Sequence, residues 1–248
     1  MKTLLAKQRS IRKFRSEPIA PEVLQDMLEA ASRASTCGNM QLYSLIVTQS
    51  RELREALAPC HFNQPMVTQA PCVITVCADV HRFSMWCEQR DAEPCYDNFA
   101  WFLNGVTDAL LAAQNLCVEA EAHGLGICYL GTTIYTAEEI ARILDLPKGV
   151  IPVTTIVVGH PDESPELTDR LPLDAVVHCE KYHHYTSSEI DELWAEKETS
   201  EETRRLLEEN GLPNLAQIFT RNRYRAEDNL AISRNYFALL KKQGFFNN

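Results

Sequence analysis

The run "KQRSIRKFR", Lys7 to Arg15, puts three arginines and two lysines into nine residues of a chain whose formal net charge is −10. A basic cluster on an acidic background suits one locally held anion, a phosphate-bearing small ligand above all, because charge-assisted hydrogen bonds are roughly twice as strong as neutral ones. In an extended segment Gln8, Ser10 and Arg12 fall on one side, with Arg9 and Lys13 on the other. Other groups suited to a polar ligand follow. "STCGNMQ" carries Cys37, Asn39 and Gln41 around a glycine, and "NQPMVTQAP" carries Gln64. "YLGT" (Tyr129, Leu130, Gly131, Thr132) ends an apolar run at a glycine, where backbone can come close to a ligand. "LTDRLP" adds a late arginine, Arg170.

The other reactive types form no recognisable constellation. His61, His81, His123, His160 and His178 show no metal-ligand spacing, and the adjacent His183 and His184 read as surface residues, so no metal is assigned. The nine cysteines are odd in number and contain no CxxC. Several lie in apolar runs such as "PCVITVCAD", where reduced, buried thiols are expected. A zinc site from Cys87, Cys95 and a histidine is the weaker alternative. Neither GxGxxG nor GxxxxGK[ST] occurs, so a nucleotide-type ligand must be held in some other way.

The elements that must position these groups are legible in the periodicity. Helices are expected at Pro21–Ser35, over "RELREALA", and at Asn98–Gly124, the last apolar around most of its circumference with Gly124 closing it. Strands are expected at 43–49, 71–79 and 153–161, with a further apolar segment, 125–133, turning at Gly131. Thr136 and Glu139 read as a capping box for "TAEEIARILDLP". Residues 80–97 read as a surface loop or lid, with Phe83, Trp86 and Tyr96 free to stack on a planar molecule. Beyond Pro161 an extended arm is expected, then charged helices. This divides the chain into a domain of residues 1–186 and a helical extension of 187–248.

The 248 residues suffice for one substantial core with an appendage. Net charge −10 argues against general nucleic-acid binding, which needs a broad basic surface. No stretch approaches the roughly 20 apolar residues of a membrane span, and "MKTLLAKQRS" lacks the apolar core of a signal peptide, so a cytoplasmic location is expected.

Taken in order, "RSIRKF", "ASTCGNMQLYSLIVT", "GLGICYLGTT" and "GHPDESPELTDRLPLDAVVH" make the chain, from about Leu5 to Tyr185, resemble the nitroreductase family of flavoproteins. The similarity is greatest to its NADPH-preferring branch of oxygen-insensitive nitroreductases and flavin reductases. The resemblance implies an α+β, three-layer fold with a central antiparallel-rich sheet between helices, in an intertwined homodimer with flavin sites at the subunit interface. It implies FMN as cofactor, NAD(P)H as electron donor, and ping-pong hydride transfer to a small aromatic acceptor such as a nitroaromatic, quinone or flavin. Reductive dehalogenation on the same fold, a storage or sensing role for a bound flavin, and an interaction protein with a degraded site are the alternatives.

By the same resemblance Gln8 and Ser10 lie at the FMN phosphate, which Arg9, facing the other way, reaches by swinging in, and Arg12 lies at the pyrimidine end, where a cation stabilises the charge of the reduced ring. Cys37 and Asn39 flank the ring, Gln64 hydrogen-bonds it, and backbone N–H groups of Tyr129–Thr132 reach N5 and O4. Arg170 is a further phosphate ligand. Three positions depart from the pattern. Gln8 and Thr168 stand where relatives carry basic residues, and Thr132 stands for a second glycine. Looser FMN binding is therefore expected. Arg221, Arg223 and Arg225 in "FTRNRYR" stand where relatives bind the 2′-phosphate of NADPH, although a solvated loop is the favoured reading of that stretch.

Overall fold

The structure, a computed structural model, describes residues 2–246, with side chains from Leu4 onward. The outermost expected domain limits, residues 1, 247 and 248, lie outside the described residues. The chain forms two compact units. One runs to Leu167 and is rejoined by the chain from Ile232; the other is Thr168–Ala231.

The first unit is built on four strands, β1 (Tyr43–Thr48), β2 (Cys72–Asp79), β3 (Gly126–Leu130) and β4 (Val150–Gly159). Their order is β1-β2-β4-β3 and every pairing is antiparallel. β2 is buried along its whole length, so it reads as a near-continuous apolar run without alternation. Around the sheet lie α1 (Lys2–Leu5), α2 (Pro21–Ser32), α3 (Arg51–Leu57), α4 (Met66–Gln69), α5 (His81–Glu88), α6 (Phe99–Ala122) and α7 (Ala137–Ile143).

Alternation along the strands sends side chains into two cores. Ile74, Val76, Ile156 and Val158 face α2 and α6, meeting Met27, Ala31, Ala112, Ala113 and Leu116. Val73, Val157, Cys128 and Leu130 face the other way, onto Ile11, Phe14, Ala58, Met66 and Val67. The sheet is thus the middle of three layers, as the resemblance implies. Small residues let α6 lie close: a Cβ on Gly105 would stand 3.0 Å from the Ala78 Cβ and 3.1 Å from the Leu42 carbonyl. Gly124 ends the helix at φ +75°, and the Leu125 N–H closes back on the Ala120 carbonyl at 2.9 Å.

Two local expectations are corrected. Residues 80–97 are not simply a loop, since α5 occupies their first half. Phe83 packs on Trp86 and Tyr96 at 5.3 and 5.2 Å between ring centroids, and Tyr96 on Trp101 at 4.8 Å. The aromatics hold one another, which is what orders the segment. The capping box at Thr136 is also absent. Its hydroxyl donates to the Cys60 carbonyl at 2.7 Å and Glu139 turns to Arg142, so a tertiary contact takes the group the helix would have used.

The second unit holds α8 (Ser187–Thr199), α9 (Glu201–Asn210) and α10 (Leu215–Ile218), which runs on into a π-helical turn, Phe219–Arg223. α11 (Ala226–Lys242) begins in this unit. A reciprocal capping box does exist here, between Thr186 and Glu189. No described helix is long and apolar enough to cross a membrane.

Candidate functional site

The basic segment is held by its backbone. Ser10 bridges Ile127 of β3 in parallel, and the Ile11 N–H donates to the Ile127 carbonyl at 2.9 Å. Ile11 and Phe14 are buried. The Arg12 and Lys13 N–H groups donate to one oxygen of Glu163, at 2.5 and 3.1 Å. Glu121 accepts the Arg9 N–H; burial raises the pKa of this carboxyl, and that hydrogen bond opposes the rise. Two acids therefore fix the main chain while the Arg12 and Lys13 side chains stay exposed. Arg9 is committed elsewhere, its guanidinium donating to the Pro165 carbonyl at 2.6 Å and the Lys7 carbonyl at 3.2 Å. Ser10 hydrogen-bonds the Cys128 thiol; burial raises that thiol's pKa, and the Arg12 charge and the Ser10 bond pull it back.

Beyond Leu130 the chain turns through a 3-10 helix, Gly131–Tyr135. Gly131 is exposed, and a Cβ placed on it would meet nothing within 4 Å. Threonine hydroxyls pin the turn. Thr132 Oγ1 lies 2.8 Å from His61 Nδ1, Thr133 donates to the Leu130 carbonyl at 2.9 Å, and Thr136 reaches Cys60. His61 is fully buried, and burial pushes its imidazole down to about 4, so it is neutral at pH 7. Phe62 and Asn63 follow at φ +55° and +53°, and the Gln64 N–H donates to the His61 carbonyl at 3.1 Å. Ser10 and the Arg12 charge act on Cys128 of β3, and His61 ties Thr132, just past the end of β3, to the segment that carries Gln64. The Tyr129 phenol is turned to α6, donating toward Gln114 at 3.4 Å, and burial raises its pKa.

The loop from Cys37 to Gln41 lies apart from that group. Gly38, Asn39 and Gln41 all have positive φ, at +55°, +56° and +54°. Asp108, buried in α6, accepts the Cys37 N–H at 2.9 Å and the Leu42 N–H at 3.0 Å. Arg82 of α5 donates to the Gln41 carbonyl and is itself steadied by Asp79 at 3.4 Å. The loop's bonds run to α5 and α6, not to the turn at Gly131. Arg170 belongs to the second unit, where its guanidinium donates to the carbonyls of Thr168 and Asp169. In the same unit Arg223 lies 5.5 Å over the Phe219 ring and Arg225 pairs with Asp228 at 2.7 Å, so this stretch is solvated as expected but forms a helical turn in place of a loop.

Sequence reasoning passed over two residues. Asp108 is the one charged residue between Phe99 and Val118 of α6, and that isolation was the available signal: a charge there must be buried with partners or turned out to water. His61 was set aside for want of metal spacing, although it lies three residues before Gln64.

Comparison with known proteins identifies the family. The sequence model of the Nitroreductase family matches residues 5–160. An NADPH-dependent oxidoreductase of Staphylococcus aureus is 35% identical over 184 residues, 73% of either chain. A solved structure from Bacteroides fragilis is 48% identical with a TM-score of 0.97, covering 99% of this chain and 100% of that one. The NADPH:FMN oxidoreductase of Vibrio harveyi, solved with NAD+, is 26% identical with a TM-score of 0.82, covering 100% and 99%. With the matched segment spanning the whole sheet, the basic N-terminal segment and the turn at Gly131, this chain belongs to the nitroreductase family.

Proposed function

We propose that this oxidoreductase binds FMN at the end of β3 and passes electrons from NAD(P)H to nitroaromatics, quinones or flavins, one substrate replacing the other in a shared site. The observation that carries the reading is the pairing of the basic segment, with Arg12 exposed, alongside β3, the strand that ends at the open face of Gly131. A planar phosphorylated heterocycle suits this set: Ser10 and the basic segment for its phosphate, Gln64 for its polar edge, and a glycine whose missing side chain leaves room for the ring. Bound FMN supplies the hydride chemistry, and the protein supplies position and charge. Arg12 sets a fixed cation where electron density accumulates. Gln8 contributes to the phosphate end through its amide.

The working form we infer is a cytoplasmic homodimer. Leu103, Leu110 and Leu111 are exposed by 48%, 44% and 43% along one side of α6, an apolar stripe suited to a second copy. Asp108, on the same helix, anchors the loop carrying Cys37 and Asn39, so pairing through α6 would bring that loop to the flavin of the other chain.

The test is an anaerobic absorbance spectrum of FMN-reconstituted protein before and after NADPH, then NADH. Loss of the oxidised-flavin band is expected, faster with NADPH. A band that persists under both nucleotides would favour flavin storage or sensing, and a colourless protein would remove the flavin reading altogether.

A further inference from the structure

His61 is fully buried, and the chemistry proposed above makes no use of it. Its Nδ1 lies 2.8 Å from Thr132 Oγ1, while its Nε2 is buried without a partner among the described residues. The pair can be protonated in two ways. If Thr132 donates to Nδ1, the ring hydrogen sits on Nε2 and a buried N–H is orphaned. If Nδ1 carries the hydrogen and donates to Thr132, Nε2 keeps only an unused lone pair. Orphaned buried donors are rarer than under-satisfied acceptors, so the second arrangement is the stable one. Burial leaves the ring with a single hydrogen at neutral pH.

The consequence falls on Thr132. Its oxygen accepts from His61, so its own hydrogen is free to be given elsewhere. Its neighbours have no such freedom, because Thr133 is committed to Leu130 and Thr136 to Cys60. Thr132 is half-buried and adjoins the open face of Gly131.

We propose that His61 is a positioning residue that fixes the Thr132 hydroxyl as a hydrogen-bond donor to the flavin ring; this rests on the FMN site proposed above. Oxidised and two-electron-reduced flavin differ in which ring atoms accept and which donate. A donor of fixed polarity cannot serve both equally, and its removal must move the midpoint potential.

Two measurements test the pair. Nitrogen-15 NMR of the flavin-free protein should show His61 protonated at Nδ1; a ring protonated at Nε2 overturns the proposal. Midpoint potentials of bound FMN should be close to wild type in Thr132→Ser and in His61→Asn, whose amide nitrogen can stand in for Nδ1. Thr132→Val and His61→Leu should shift it in the same direction. The size expected is about tenfold in the relative affinity for the two oxidation states, or about 30 mV for a two-electron couple. The double variant should shift no further than Thr132→Val alone. An unmoved potential in Thr132→Val, or additive shifts, overturns the pair's role, and if His61→Leu does not fold the contrast of Val with Ser at 132 decides. A wild-type protein that takes up no FMN overturns the flavin reading itself, a failure told apart because the NMR result is obtained without flavin.

Discussion

Asp108 accepts the backbone N–H of Cys37 across 71 residues of sequence, at 2.9 Å, and its second oxygen takes the Leu42 N–H at 3.0 Å. One carboxylate therefore closes both ends of the loop that carries Asn39. Asp108→Asn must turn an NH₂ toward one of two N–H donors, leaving a buried donor unmet at a cost of about 2 kcal/mol. The denaturant midpoint should fall with an unchanged slope, and FMN should bind more weakly. A variant with the wild-type midpoint would show that the loop does not depend on this anchor.

His61 makes stability depend on acid. Its ordinary value is 6.5 and its folded value about 4. Between these the unfolded chain takes up a proton that the folded chain refuses, so stability is full above about 6.5 and is lost as pH falls toward 4. The loss is about 1.4 kcal/mol per unit and roughly 3 kcal/mol in total. Unfolding free energies of wild type and His61→Leu, compared at pH 7 and pH 4.5, should converge by an amount of this order; parallel pH profiles would contradict it.

The apolar stripe on α6 predicts self-association. Wild type should sediment as a dimer. Leu110→Glu combined with Leu111→Glu should sediment as a monomer with its helix content intact and with FMN affinity reduced. A monomer that binds FMN as well as wild type would place the whole flavin site within one chain.

The phosphate end is open to improvement. Gln8 is neutral at the proposed phosphate end, and a charge-assisted hydrogen bond exceeds a neutral one by about 1 kcal/mol. Gln8→Arg should tighten FMN roughly fivefold in a fluorescence titration, with the gain shrinking as salt is raised. A gain that ignores salt would mean that the arginine acts by packing.

What was legible in the sequence divides along physical lines. The long helix and the apolar strands were readable because burial imposes a period over many residues. α5 was missed because Val80 gives it no side-chain cap and because its order comes from Tyr96 and Trp101 beyond its end. Thr136 misled because a cap and a tertiary hydrogen bond ask for the same residue type, and here Cys60 took the hydroxyl. The groups proposed to face the ligand rest on resemblance alone. The groups that hold them, Asp108, Glu121, Glu163 and His61, could not be placed from the sequence, since each works through a partner distant in sequence.

The left-handed backbone at Asn39 bears on how the loop should be mutated. An L-residue with a Cβ costs about 1–2 kcal/mol in that conformation, less for asparagine and nothing for glycine. Replacing Asn39 by alanine would remove an amide and strain the main chain in one step, and an affinity loss so measured would overstate what the amide gives the ligand. Asn39→Gly separates the two effects, and the gap between the glycine and alanine variants measures the backbone's share of the site's preorganisation.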